Sequence, residues 1–175
     1  MWSTIDRAAA SASRLAFYVA VLLLIVLMVI GAGDVILTQL LGRPIPGAVE
    51  LSEAAVAVLI FLGLGQVQRD RGHITMDLFT QGFSAVWQRR TTILSSLIEL
   101  AFMVAMAAAS WALMLRSFRM NETAVGYLAF PIYPAKALVF LGILLATLEL
   151  ARQTIGLIAG REDQRAVEPK VEDAQ

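Results

Sequence analysis

The sequence contains no cysteine and one histidine, His73, in 175 residues. Without cysteine, the chain cannot form a disulfide, hold a metal through thiolates or use a cysteine nucleophile. A single histidine argues against haem held by two histidines of one copy and against a zinc cluster. We therefore expect no cofactor, no metal and no catalytic residue in this chain.

Charged residues are also scarce, at 16% of the chain against about a quarter in soluble domains. The formal net charge is zero, so no basic field points to a nucleic acid partner. Apolar residues reach 58%, and the mean hydropathy is +0.72. A soluble domain of this size could not bury so much apolar surface, whereas lipid solvates it directly. The composition indicates an integral membrane protein.

Four apolar runs are long enough to cross a bilayer, which takes about 20 helical residues. They predict an all-α membrane protein with spans over residues 15–41, 48–67, 93–115 and 135–158. We treat residues 1–160 as one membrane domain. The first run is too long for a secretory signal and is interpreted as an uncleaved anchor. The polar, charged tail, 161–175, is predicted to be disordered.

Residues 75–90, between the second and third spans, are too polar to cross the membrane. Four large side chains nevertheless recur there at helical spacing. This pattern predicts an amphipathic helix lying in the inner interface. Its membrane anchors would be Met76, Phe79, Phe83 and Trp87.

The distribution of lysine and arginine predicts the orientation. With four spans, both termini lie on one side of the membrane. That side carries ten of the fourteen basic residues: Arg7, Arg14, Arg69, Arg71, Arg89, Arg90, Arg152, Arg161, Arg165 and Lys170. We therefore expect both termini in the cytoplasm.

Acidic residues inside spans are functional candidates, because a charge at mid-bilayer costs about 2.5 to 3.5 kcal/mol. Glu50 and Glu53 open the second span three residues apart, so they share a helix face. Glu99 and Glu149 lie towards the inner ends of the third and fourth spans. A proton or cation relay would need acids at successive depths, whereas these form an outer and an inner group. We favour structural roles in capping, in hydrogen bonds between helices or in contact with a partner.

His73 and Asp77 follow the second span at a spacing of four residues, which permits a local pair. A pH-sensing or catalytic imidazole is the alternative, but no nucleophile and base accompany it. Small residues, including Gly63 and Gly65, and Gly142 with Ala146, would allow helix backbones to approach closely in lipid.

Three short motifs occur in a fixed order between the start of the second span and the segment that follows it. Glycine and acidic residues open the second span in 47–53, a Phe-Leu-Gly-Leu-Gly segment follows in 61–65, and 72–78 reads Gly-His-Ile-Thr-Met-Asp-Leu. Thr-Ala and Phe-Pro pairs at 123–124 and 130–131 lead into the fourth span. In this order and spacing, the chain resembles the small membrane subunit of tripartite ATP-independent periplasmic (TRAP) transporters, the DctQ-like family.

The resemblance implies a scaffold subunit of a secondary transporter that imports an organic acid across the bacterial inner membrane. In that family a periplasmic binding protein captures the substrate, and a large permease subunit moves it with a sodium gradient. The substrate and sodium sites would belong to the permease. The residues of this chain that would contact the partner or support the fold are Glu50, Glu53, Gly63, Gly65, Gly72, His73, Asp77, Glu99 and Glu149.

Two other classes of function remain open from the residues alone. A small autonomous transporter acting as a homo-oligomer would depend on Glu99, and a Glu99→Gln change would abolish its transport. A membrane anchor for a redox enzyme would contain haem, which one histidine makes improbable.

Overall fold

The computed structural model describes residues 2–69, 85–126 and 129–159. Four α-helices account for most of them: α1 Trp2–Leu41, α2 Ala48–Arg69, α3 Ala85–Met120 and α4 Tyr133–Ile158. Each is long and apolar enough to cross a membrane. Within these ranges the only β-structure is one isolated bridge, Thr123 to Pro131. The prediction of an all-α protein with four spans is therefore confirmed.

Two helices extend well past the predicted spans. α1 begins at Trp2 rather than at 15, and α3 covers Ala85–Met120 rather than 93–115. The apolar window marks only the part of a helix that lipid can solvate. The backbone hydrogen-bond ladder continues into polar flanks, because propagating a helix adds one bond for each residue fixed.

The predicted interfacial helix over 75–90 is not supported. Its last six residues, 85–90, form the first turns of α3 without a break. Trp87 therefore belongs to α3, where it is exposed and lies 5.9 Å from the Arg90 guanidinium. The other predicted anchors, Met76, Phe79 and Phe83, lie outside the described residues, as does the predicted tail.

The C-terminal ends of α1 and α3 are closed by residues in the left-handed region. Gly42 (φ 65°) donates its backbone N–H to the Thr38 carbonyl, the single bond of an αL cap. Asn121 (φ 46°) follows α3, and the N–H groups of Asn121 and Glu122 bond the carbonyls of Phe118 and Ser117. This second pattern is a Schellman motif, which satisfies carbonyls that α3 leaves free.

The four helices pack as a row in the order α1, α2, α4, α3. α2 packs against α1 and α4, α3 packs against α4, and α1 touches α4 only lightly. The edge helices are not packed against each other along the described residues, so the row does not close into a ring. The apolar windows of α2 and α4 are 28% and 33% buried, against 11% and 6% for α1 and α3. The result is a slab with two broad apolar faces.

Small residues at the contact of α2 and α4 set how closely the two backbones approach. A Cβ atom on Gly142 of α4 would collide with the backbone carbonyl of Phe61 in α2. One turn along α2, a Cβ atom on Gly65 would lie at ordinary contact distance from Leu145 and Ala146, so this position has slightly more room. α1 joins through a small cluster of buried residues, Ala16, Ala20, Val58 and Leu62. Close backbone contact holds helices together where lipid removes the hydrophobic drive.

Four alanines recur along one side of α3, but that side does not pack against the rest of the chain. Ala101, Ala105, Ala108 and Ala112 are all exposed. Met103 and Ser117 are buried instead. Small size alone did not indicate which side of α3 meets α4.

Matched glycine substitutions test the α2–α4 contact. Gly142→Ala should lower the unfolding free energy by about 1–3 kcal/mol, the usual cost of overpacking. Gly63→Ala is the control, because a Cβ there meets nothing within 4 Å. The control should be neutral or slightly stabilising, since alanine favours helix. Thermal denaturation of the detergent-purified variants would measure both, and equal melting temperatures would contradict this account of the packing.

Candidate functional site

We call the end of the slab that contains the C-terminus of α2 the inner end, after the predicted orientation. It holds a buried polar network around Glu149 of α4. Glu149 is 2% exposed. Its carboxylate accepts hydrogen bonds from Arg152, at 2.5 Å from Nη2 and 3.2 Å from Nε. A carboxylate buried without such a partner would be strongly unfavourable, so Arg152 is what allows a charge at this position.

Gln153 connects this network to the neighbouring helix. Its Nε2 donates to the backbone carbonyl of Gln68 at 2.8 Å and lies 3.5 Å from Glu149 Oε1. Gln68 is in the last turn of α2, where carbonyls have no partner within the helix. Gln153 therefore caps α2 from α4 and fixes the register of the two helices at their inner ends.

Sequence reasoning identified Glu149 but missed Gln68, Arg152 and Gln153. The signal was present: Arg152 and Gln153 follow Glu149 by three and four residues, the spacings that bring helical side chains together. Glu99, on α3, is half-buried with one carboxylate oxygen buried.

At the opposite end of the slab, which we call the outer end, Glu50 and Glu53 have different surroundings although they share one side of α2. The Glu50 side chain lies against the loop before α4, so closely that a Cβ on Gly126 would collide with its carboxylate. Glu53 is exposed and lines a groove between α1 and α2. Asp34 lines the same groove, and its Oδ1 accepts a 2.6 Å hydrogen bond from the backbone N–H of Ile45.

Of the candidate glycines, Gly65 lies at a helix crossing, whereas Gly63 faces open space. Gly72, His73 and Asp77 lie outside the described residues, so their roles stay predictions. In the described part of the chain, no group of three or more acidic or histidine side chains could hold a metal ion.

The loop before α4 is tied to both helices that it joins. Ala124 N–H bonds the Phe130 carbonyl at 2.8 Å, and Ile132 N–H bonds the Glu122 carbonyl at 3.0 Å. Lys136, in the first turn of α4, donates to the Glu122 carboxylate at 2.6 Å. This hydrogen bond, with a further one from Ser117, lowers the pKa of Glu122 below its usual 4.5.

The chain was also compared with known proteins. The profile of the family described as "Tripartite ATP-independent periplasmic transporters, DctQ component" matches residues 27–160. This range contains the C-terminal part of α1 and all of α2, α3 and α4. The chain belongs to this family. A comparison with curated proteins and with solved structures found no significant match.

Membership confirms the resemblance drawn from the sequence motifs. As a DctQ component, the chain is a membrane-spanning part of a transporter that has three kinds of component. Among its acids at described positions, Glu149 and Glu122 are ion-paired, Glu50 lies against a loop and Asp34 accepts a loop N–H. Glu53 opens onto a groove instead.

Substitutions of Arg152 and Glu149 test the polar network at the inner end. Arg152→Ala would leave a buried carboxylate uncompensated and should lower the unfolding free energy by about 1–3 kcal/mol, reduced from fully buried pairs by the partial exposure of Arg152. Adding Glu149→Gln should restore part of this loss, since a neutral amide needs no cation. Lys136→Ala, which breaks an exposed pair, is the control and should cost much less than Arg152→Ala. A double variant less stable than Arg152→Ala would argue against this role.

The Glu122–Lys136 pair predicts a pH dependence of the outer loop. A carboxyl with a lowered pKa contributes stability above its unfolded pKa, and the contribution disappears as the pH falls through the folded value. The contribution of this pair to holding the loop should therefore be complete at neutral pH and disappear as the pH falls below 4.5. NMR titration of Glu122 should give a midpoint that rises towards 4.5 in Lys136→Met. An unchanged midpoint would show that Lys136 does not lower the pKa.

Proposed function

We propose that this chain is the small scaffold subunit of a TRAP-type secondary transporter that imports an organic acid across the bacterial inner membrane. Its partners are the large permease subunit, which carries the substrate and sodium sites, and a periplasmic substrate-binding protein. Both termini lie in the cytoplasm, as the distribution of basic residues indicates. The proposal rests on the family match over residues 27–160.

The shape of the slab supports a scaffold role. A row of four helices offers wide faces to a larger neighbour, whereas a closed bundle would direct its polar groups inwards around a central axis. Close backbone contact and the Gln153–Gln68 hydrogen bond hold α2 and α4, the two central helices of the row, together. Such a plate resists bending and can anchor a partner that moves relative to the membrane.

The autonomous-transporter alternative depends on Glu99. A protein from a family of multi-component transporters is expected to act with other chains, so we do not adopt the alternative. The two functions still differ in a measurable way, because a scaffold tolerates loss of the Glu99 charge as long as it folds.

Affinity purification of the tagged chain from its native membranes tests the partner. We expect a large polytopic permease at near-equal stoichiometry, identified by mass spectrometry. Sodium-driven uptake of carboxylates into proteoliposomes should require both chains and should persist in Glu99→Gln. Recovery of this chain alone as a homo-oligomer, with uptake abolished by Glu99→Gln, would overturn the proposal.

A further inference from the structure

An apolar groove opens on one face of the slab, between the outer halves of α1 and α2. Its volume is about 560 Å³. Five of its seven lining residues are apolar or small, and the others include the acids Asp34 and Glu53. The full lining is Gly31, Asp34, Ala48, Val49, Ser52, Glu53 and Val56.

The groove continues into an exposed stripe of α2. Val49, Glu53, Val56 and Ile60 follow one another at four, three and four residues, and all are exposed. Yet α2 lies between α1 and α4 in the row and packs against both of them. The stripe is therefore part of a broad face of the slab, and it carries one carboxylate among aliphatic side chains.

Glu53 lies below the membrane surface. α2 has 22 residues, so it measures about 33 Å, only slightly more than the roughly 30 Å hydrocarbon core. A helix this short cannot project far on either side. Glu53 follows the first residue of α2 by five positions, which places it about 7–8 Å inside the outer end of the helix.

A carboxylate facing hydrocarbon at this depth needs a cation. No hydrogen bond or ion pair within the described residues engages Glu53. Asp34 adds negative charge to the same groove but is already bonded to the Ile45 N–H. Charged groups within a membrane are generally paired or face protein, because unpaired exposure to lipid is costly.

We propose that this groove is the seat of the large permease subunit, which inserts an arginine or lysine side chain against Glu53 from a helix packed along α2. The inference rests on the proposed function and adds the face on which the partner binds. A side chain carried by a neighbouring helix reaches Glu53 at its own depth. The ammonium group of a lipid lies at the surface, above the carboxylate, which favours a protein cation over a lipid headgroup.

Site-specific photocrosslinking in native membranes tests which face is covered. A benzophenone amino acid at Val56 should form an adduct with the large subunit. The matched control is Leu51, which is also exposed in the outer half of α2 but lies on its opposite side. A Val56 adduct with lipid, or one with a second copy of this chain, would overturn the proposal, as would a large-subunit adduct at Leu51 alone.

Charge substitution tests the ion pair. Glu53→Lys should reduce recovery of the large subunit by roughly tenfold, with a smaller loss for Glu53→Gln, as expected when one partner of a desolvated pair is removed or reversed. Glu122→Gln is the control, since that outer acid is paired with Lys136 within the chain and should leave recovery unchanged. Membrane abundance and melting temperature would verify that each variant folds.

The outcomes separate the two levels of inference. Unchanged recovery of the large subunit with Glu53→Lys would overturn the groove assignment and leave the scaffold function intact. Failure of the unmodified chain to recover any large subunit would overturn the scaffold function itself.

Discussion

The close approach of α2 and α4 is the contact on which the rest of the fold depends. At Gly142 the backbone of one helix lies against the Phe61 carbonyl of the other, a distance that no larger residue permits. The remaining helices attach to this pair, α1 to α2 and α3 to α4. Because lipid supplies no hydrophobic drive between helices, such backbone contact and a few buried polar bonds determine the arrangement.

The side-chain hydrogen bonds and ion pairs that fix the helix ends are concentrated at the two ends of the slab. At the inner end, Gln153 caps the last carbonyls of α2, and Glu149 is buried against Arg152. At the outer end, Asp34 accepts a hydrogen bond from the Ile45 N–H, and Lys136 donates one to the Glu122 carboxylate. These bonds fix the helix ends while the apolar middle packs through small residues. The bonds at the two ends and the close contacts in the middle together hold the plate in shape.

The number and place of the spans could be predicted because each is a long apolar run, a signal that follows from bilayer thickness alone. The order in which the helices pack could not be predicted, because the sequence of an alanine-rich helix does not indicate which side contacts another helix. Ala101 and Ala108 are as small as Ala146, yet they are exposed and Ala146 is fully buried. The partners of Glu149 were recoverable from spacing, whereas the contact of Gln153 with Gln68 required the helix arrangement.

The two acids in the first turns of α2 lie on one side of the helix but have different surroundings. Glu50 is occupied by the loop near Gly126, and its carboxylate is part of the structure of this chain. Glu53, one turn further into the membrane, lies beyond the reach of that loop and lines a groove instead. Sequence spacing treats the two as equivalent, but depth and neighbours do not. For the scaffold subunit that we propose, Glu53 is therefore the acid of this pair that the chain's own fold leaves available for recognition by a partner.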